Sequence, residues 1–219
     1  MIRPPRAPGI LAWLLLTSLF AASVYRAERL SISMDEAFTY LSFVAPPVRQ
    51  ILTTYSPNNH VLYSLLAKAC VTALGASEIT LRLPALLGAV LCLAAIRAVS
   101  RSLFGNGWMM LLAISLAALN PIVFDYFSQA RGYGLALAFY LFGLLYSARS
   151  RRLGVEGALL GLSVGANLTF AIPVIALDVL LIALCLARKA EWRAMAWMLT
   201  IEVMVAAGIN AGPLPSGVS

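Results

Sequence analysis

Two adjacent carboxylates, Asp35 and Glu36, stand in Ser33-Met34-Asp35-Glu36-Ala37-Phe38-Thr39-Tyr40, just after the first long apolar run. A carboxylate there can take a proton from an attacking hydroxyl, help to hold a divalent cation, or start a helix. The last role explains many such pairs, because Asp is a good N-cap and acidic residues in a first turn complement the helix macrodipole. Composition gives this pair more weight, since only 11% of the 219 residues are charged and 61% are hydrophobic. A second group is Ser128-Gln129-Ala130-Arg131-Gly132-Tyr133-Gly134. Arg131 suits an anionic head group, and the glycines flanking Tyr133 permit close backbone approach. A third is the polar turn Asn58-Asn59-His60, followed by an apolar run that carries Lys68.

The elements that position these residues are apolar runs separated by short charged loops, with a mean hydropathy of +0.88. Barrel-like alternation is missing, so the pattern is that of an all-α, polytopic helical membrane protein forming one transmembrane domain over residues 1–219. The formal charge of +7 does not point to nucleic acid, because the basic residues are scattered at helix ends and read as topology signals. Cys70, Cys92 and Cys185 each fall inside an apolar segment, with spacing that suits neither zinc nor a disulfide framework. Met1 to Ala22 also carries the pattern of a secretory signal, but several spans follow it and a retained first span is expected.

Seven spans are predicted: Gly9–Val24, Leu83–Val99, Gly107–Phe124, Leu135–Ala148, Leu153–Phe170, Ile172–Ala187 and Met195–Ile209. The loop over 27–82 is expected to hold a short helix from Asp35 to Val44, stopped by Pro46-Pro47, and another from Val48 to Tyr55. The run from His60 to Leu74 falls short of the roughly 20 residues that a span needs. Its polar residues His60, Ser64, Lys68 and Thr72 recur every fourth position and share a helix face, so it is predicted to lie juxtamembrane, along the interface.

With the amino terminus in the cytoplasm, ten basic residues fall inside: Arg3, Arg6, Arg97, Arg101, Arg149, Arg151, Arg152, Arg188, Lys189 and Arg193. Six fall outside: Arg26, Arg29, Arg49, Lys68, Arg82 and Arg131. The competing topology makes the His60–Leu74 run a span. It drives Lys68 into hydrocarbon at a cost of about 2.5–3.5 kcal/mol and puts Arg3 and Arg6 outside. Only the first topology opens the Asp35 and Arg131 loops on one face. Single members of the outer group have simpler roles: His60 as a helix-end polar residue, Lys68 and Arg82 against lipid phosphates, and Glu78 paired with Arg82 four residues on.

The order of these features resembles the amino-terminal half of the GT-C superfamily of membrane glycosyltransferases. An acidic pair follows the first span, and Asn58-Asn59-His60 leads a juxtamembrane helix. Ser77-Glu78-Ile79-Thr80-Leu81-Arg82-Leu83-Pro84 precedes a Gly-containing span, Ser102-Leu103-Phe104-Gly105 makes an inner turn, and Asn120-Pro121 leads to Ser128-Gln129-Ala130-Arg131-Gly132-Tyr133. The chain is most similar to the branch with protein O-mannosyltransferases, the aminoarabinose transferase of lipid A and the RgtA/B/C/D-like enzymes, over roughly Leu11 to Ala187. The resemblance implies an enzyme of the bacterial inner membrane with its active site on the outer face. Such an enzyme transfers a sugar from a polyprenyl-phosphate donor to a lipid, glycan or protein acceptor. It places the catalytic base at Asp35, with Glu36 orienting the acceptor or joining a divalent metal ion that nothing in the sequence requires. Arg131 is the first choice to stabilise the departing phosphate, with Lys68 and His60 behind it. Further substrate contacts are expected from Asn59, Arg82, Gln129 and Tyr133. Family members continue through later spans that help to hold the donor, so this chain is expected to be a truncated module.

Two other classes remain open on the residues alone. Asp178 and Glu202 lie inside the sixth and seventh spans, as in a transporter, although packing contacts between helices also explain them. A non-catalytic membrane scaffold is the other. Asn167-Leu168-Thr169 matches a glycosylation acceptor but sits close to apolar sequence.

Overall fold

A computed structural model describes residues 6–54, 56, 58–149, 153–188 and 192–210. Arg3, Arg151, Arg152 and Lys189 of the charge count, Tyr55 at the end of a predicted helix, and the Gly212-to-Ser216 tail lie outside the described residues. The described residues are helical and contain no strand, as an all-α reading requires. The helices are α1 (Arg6–Arg29), α2 (Met34–Thr39), α3 (Val48–Thr53), α4 (Val61–Leu74), α5 (Glu78–Phe104) and α6 (Trp108–Ala118). After them come α7 (Pro121–Asp125), α8 (Tyr133–Arg149), α9 (Leu153–Ala166), α10 (Ala171–Arg188) and α11 (Trp192–Asn210). A π-helical turn over Tyr40–Val44 extends α2, and a 3₁₀ turn over Leu168–Phe170 precedes α10.

The frame is α5, which at 27 residues is about 40 Å long and has its middle buried by its neighbours. A capping box between Ser77 and Thr80 starts it, and Gly105, with φ of 70°, ends it. Against it pack α1 and α6, through Ala12, Leu16, Ala89, Cys92, Met110 and Ile114. On its other side α8 approaches so closely that a Cβ on Gly88 would lie 2.7 Å from the Leu135 nitrogen. Next comes α9, tied to α8 where Ser163 Oγ donates to the Ala136 carbonyl at 2.8 Å. Backbone contact of Gly157 and Gly161 with Met198 and Glu202 sets α11 beside α9, running parallel to it.

Four helical segments are long and apolar enough to cross a membrane: α1, α5, the 3₁₀ turn with α10, and α11. The other predicted spans are shorter. The span read as Gly107–Phe124 breaks at Leu119, because Asn120 Oδ1 accepts from Ile122 N and Val123 N and starts α7 with Pro121 at its first position. The one read as Leu153–Phe170 ends at Ala166, where Asn167 caps the 3₁₀ turn.

At 14 residues α4 is one of the shorter apolar helices, and it packs against the start of α5. Its start lies by Gly132 and Tyr133, and Tyr63 Oη, one turn on, donates to the Leu81 carbonyl near the start of α5, at 2.7 Å. The stripe His60, Ser64, Lys68, Thr72 shares a face as predicted, but most of that face is turned into protein. His60 and Ser64 are buried, Lys68 Nζ donates to the Val44 carbonyl at 2.8 Å and to that of Pro46, and only Thr72 is exposed. Carbonyls left open at the end of the π turn need donors, and the stripe supplies one. The same end of the bundle collects Arg26, Arg29, Arg49, Lys68, Arg82 and Arg131, while Arg6, Arg97, Arg101, Arg149, Arg188 and Arg193 fall toward the other.

The close approach of α5 and α8 makes a test of the packing. Gly88→Ala sets a methyl against backbone that cannot rotate away and should destabilise by about 1–3 kcal/mol. Gly208 in α11 has open space around its Cβ position, so Gly208→Ala should instead stabilise by about 0.5–1 kcal/mol. Thermal unfolding in detergent reads both signs.

Candidate functional site

The acidic pair divides at the start of α2. Ser33, not Asp35, is the N-cap: its side chain accepts from Glu36 N, and its own N–H donates to Glu36 Oε2 at 2.9 Å. That capping box turns Glu36 inward and leaves Asp35, one residue earlier in the first turn, pointing out. Glu36 is 1% exposed and accepts from Arg82 Nε and Nη2, each at 2.8 Å, and from Ala130 N at 2.7 Å. Burial alone would push its carboxyl up. The Arg82 hydrogen bonds, with those from Ser33 and Ala130, outweigh this and hold it below the usual carboxylate range.

Arg82 is as fully used. Nη1 donates to the carbonyls of Ala27 and Leu30, and Nη2 adds Ser31 to Glu36, so all five guanidinium donors are occupied. Glu78 Oε2 stands 3.7 Å away, as its spacing from Arg82 suggested. With both groups saturated, neither Glu36 nor Arg82 has an atom left for substrate or for a metal ion. They bind the end of α1, the start of α2, the Ala130 loop and α5 into one unit. Among the described residues no three His, Cys, Asp or Glu side chains converge as metal ligands.

Above this pair Asp35 forms an ion pair with Arg131, from side chains 56% and 15% exposed respectively. The two loops therefore meet, as the topology with α4 off the bundle axis requires. The contrast in burial decides their roles. Removing one partner of a buried pair costs about 3–5 kcal/mol, whereas a partly exposed pair contributes about 0–1 kcal/mol and exchanges partners readily. A third pair, Arg26 with Asp125, fastens α7 to α1, and the Arg26 guanidinium lies 5.0 Å from the centre of the Phe124 ring.

Tyr133 stacks on Tyr126 with ring centres 4.0 Å apart and meets the His60 ring edge-on at 5.5 Å. Beside the tyrosines a cavity of about 350 Å³ is lined by Ile122, Val123, Phe127, Leu137 and Phe170. His60 is buried. Burial, reinforced by the Arg131 charge, pushes its imidazole down to about 4, so it is neutral at pH 7. The glycines around Tyr133 bring the loop against protein: a Cβ on Gly132 would collide with the Ala166 carbonyl and lie 3.3 Å from His60 Cβ.

Of the other predicted contacts, Asn59 is structural. Its Nδ2 donates to the carbonyls of Ile51 and Thr54 at 2.7 and 2.9 Å, closing α3. Lys68 spends two donors on the carbonyls of Val44, at the end of the π turn, and Pro46. Gln129 is half-buried, and its carbonyl accepts from Arg131 N at 2.7 Å. Asn167, read as a glycosylation acceptor, is 1% exposed with Oδ1 bound to Thr169, so its amide is out of reach of modification. The deep acids Asp178 and Glu202 lie side by side, and Glu156, which sequence reasoning passed over, joins them from α9. Its signal was available, as an acid in an apolar helix.

Compared with protein-family models, curated proteins and solved structures, the chain matches none.

Two measurements test the division of labour. Glu36→Gln should destabilise by about 3–5 kcal/mol and Asp35→Asn by less than about 1 kcal/mol. For His60 the folded value of about 4 lies below the unfolded 6.5, so between them the unfolded chain binds the extra proton and stability falls as pH falls. Chemical unfolding between pH 7 and pH 5 should show a loss of about 2 kcal/mol that His60→Gln removes.

Proposed function

We propose that the exposed end of the bundle transfers a sugar from a polyprenyl-phosphate donor to an acceptor hydroxyl, with inversion, at the outer face of a bacterial inner membrane. The observation that carries this reading is the exchangeable Asp35–Arg131 pair held over the saturated Glu36–Arg82 pair. A base and a cation are thereby presented together on a rigid support. The apolar cavity beside Tyr126 and Tyr133 suits the chain of a lipid whose phosphate reaches Arg131. Over the full sequence ten basic residues belong to the opposite side against six on this one, which supports a cytoplasmic placing of that end.

In this mechanism the donor phosphate competes for Arg131 and displaces Asp35. The freed carboxylate accepts the proton of the acceptor hydroxyl as its oxygen attacks the anomeric carbon. The bond from that carbon to the phosphate oxygen breaks with its electron pair, and Arg131 stabilises the charge gathering on the polyprenyl phosphate. Glu36 and Arg82 act by position only, and Tyr133 and His60 wall the site.

Asp35→Asn keeps size and hydrogen bonding but removes basicity. Transfer from a polyprenyl-phosphate sugar should fall by about 10² to 10⁴ while the variant folds and inserts normally. The assay is run on the chain in membranes. Loss of a first-turn charge and of a partly exposed ion pair costs only about 0–1 kcal/mol, so unchanged transfer would return Asp35 to a structural part.

A second reading, ion-coupled transport, has one specific observation behind it. Glu156, Asp178 and Glu202 gather between α9, α10 and α11, each with an oxygen that has no hydrogen-bond partner among the described residues. If transfer is the activity, Asp178→Asn and Glu202→Gln should leave it nearly intact. Loss of proton- or ion-driven uptake in either variant would favour transport.

A further inference from the structure

The end of the bundle opposite Asp35 and Arg131 carries two cations that the described residues leave without a counter-charge. Arg97 and Arg101 stand one turn apart on α5 and share a helix face. Their charges act on one another, and like charges at this spacing oppose the helix. Arg26, Arg82 and Arg131, at the other end, each pair with a carboxylate. Neither Arg97 nor Arg101 does so, and neither donates a hydrogen bond within the described residues. The Arg97 guanidinium instead lies over the Trp13 ring of α1, its central carbon 4.4 Å from the ring centre. That contact holds the group between α1 and α5 but offers its five N–H donors no acceptor. Of the Arg97 nitrogens only Nε is enclosed without a partner; the residue is half-buried, and Arg101 is exposed. Both guanidinium groups can therefore be reached from outside.

The surroundings are apolar. Trp13 and Leu14 on α1, Phe104 at the end of α5 and Trp108 at the start of α6 are all exposed. Exposed aromatic residues near helix ends mark the level of the membrane head groups. Arg97 lies two turns, or about 10 Å, in from the end of α5 at Phe104. A cation at that depth is costly unless an anion meets it. Two guanidinium forks suit the oxygens of a phosphate, and basic pockets between spans take lipid head groups. We infer that Arg97 and Arg101, with Trp13 behind Arg97, bind the phosphate of an anionic phospholipid in the leaflet at this end of the bundle. The inference rests on α1 and α5 being membrane spans and is independent of sugar transfer. Phosphatidylcholine brings the same phosphate, but its quaternary ammonium would stand beside two guanidinium groups. A soluble phosphate brings the anion without acyl chains to cover the apolar surface around it.

The full chain in a neutral detergent is titrated with phosphatidylglycerol, with phosphatidylcholine and with glycerol 1-phosphate, and native mass spectrometry counts the molecules bound. One phosphatidylglycerol per chain should bind about tenfold or more tighter than phosphatidylcholine. The double substitution Arg97→Gln with Arg101→Gln should remove that advantage. Arg193→Gln, which loses one charge at the same end from an exposed position on α11, should leave it intact. Arg97→Lys keeps the charge but loses the fork and the stacking, and should weaken phosphatidylglycerol binding. Equal binding of the two lipids to the unaltered chain refutes the site. A preference that Arg193→Gln lowers as much as the double substitution does is diffuse attraction to a basic end, and refutes it too. Glycerol 1-phosphate bound as tightly as phosphatidylglycerol overturns the lipid as ligand. The comparison on the unaltered chain decides the main point even if the double variant does not fold.

Discussion

The buried pair of Glu36 and Arg82 is the constraint on which this end of the bundle depends. Four hydrogen bonds converge on one carboxylate and five leave one guanidinium, joining α1, α2, the Ala130 loop and α5. Such a pair contributes little net stability over a well-packed apolar contact, since desolvation cancels most of the Coulomb gain. Its effect is on uniqueness. Any arrangement that separates the partners buries a bare charge, so alternative placements of the first loop against α5 and the Ala130 loop are strongly disfavoured. The loop of 27–82 is long enough to wander, and this contact gives it one position.

Fixing Glu36 also fixes its neighbour. A helical first turn points successive side chains in different directions, so a Glu36 locked inward leaves Asp35 outward. Ala130 N is bonded to Glu36, and Arg131 follows Ala130, so the same contact delivers the cation to the acid. The buried pair and the exposed pair are thus one construction, the first rigid and the second exchangeable. Binding sites gain from this arrangement, because groups that meet a ligand must be positioned yet free to change partners.

The two ends of the bundle differ in kind. At the end that holds Asp35 and Arg131 polar atoms are mostly satisfied within the loops, with the Val44 and Pro46 carbonyls met by Lys68 and those closing α3 by Asn59. Arg26 Nε, His60 Nε2 and Asn167 Nδ2 are the buried exceptions at this end among the described residues. Deeper in the bundle Glu156, Asp178 and Glu202 share the space between α9, α10 and α11, where α10 and α11 leave broad apolar faces uncovered.

What the sequence by itself determined was the helical class, the apolar elements and the residues with chemical capacity. These follow from local quantities: runs of apolar residues, prolines at Pro46-Pro47, and charges at the ends of runs. The periodicity of His60, Ser64, Lys68 and Thr72 also placed those residues correctly on one face of α4, but not the surroundings of that face. An amphipathic stripe looks the same whether it meets water or unpaired carbonyls, and only the packing of the π turn against α4 decided between them. Likewise the sequence offered Asp35 and Glu36 as equals, and Arg82 and Arg131 as two similar cations. Tertiary structure separated them, because burial and hydrogen-bond saturation are properties of neighbours 46 and 94 residues away in the chain. Asn167 shows the same limit: Asn-Leu-Thr matches a glycosylation acceptor beside apolar sequence, and only the fold buries the side chain with Oδ1 held by Thr169.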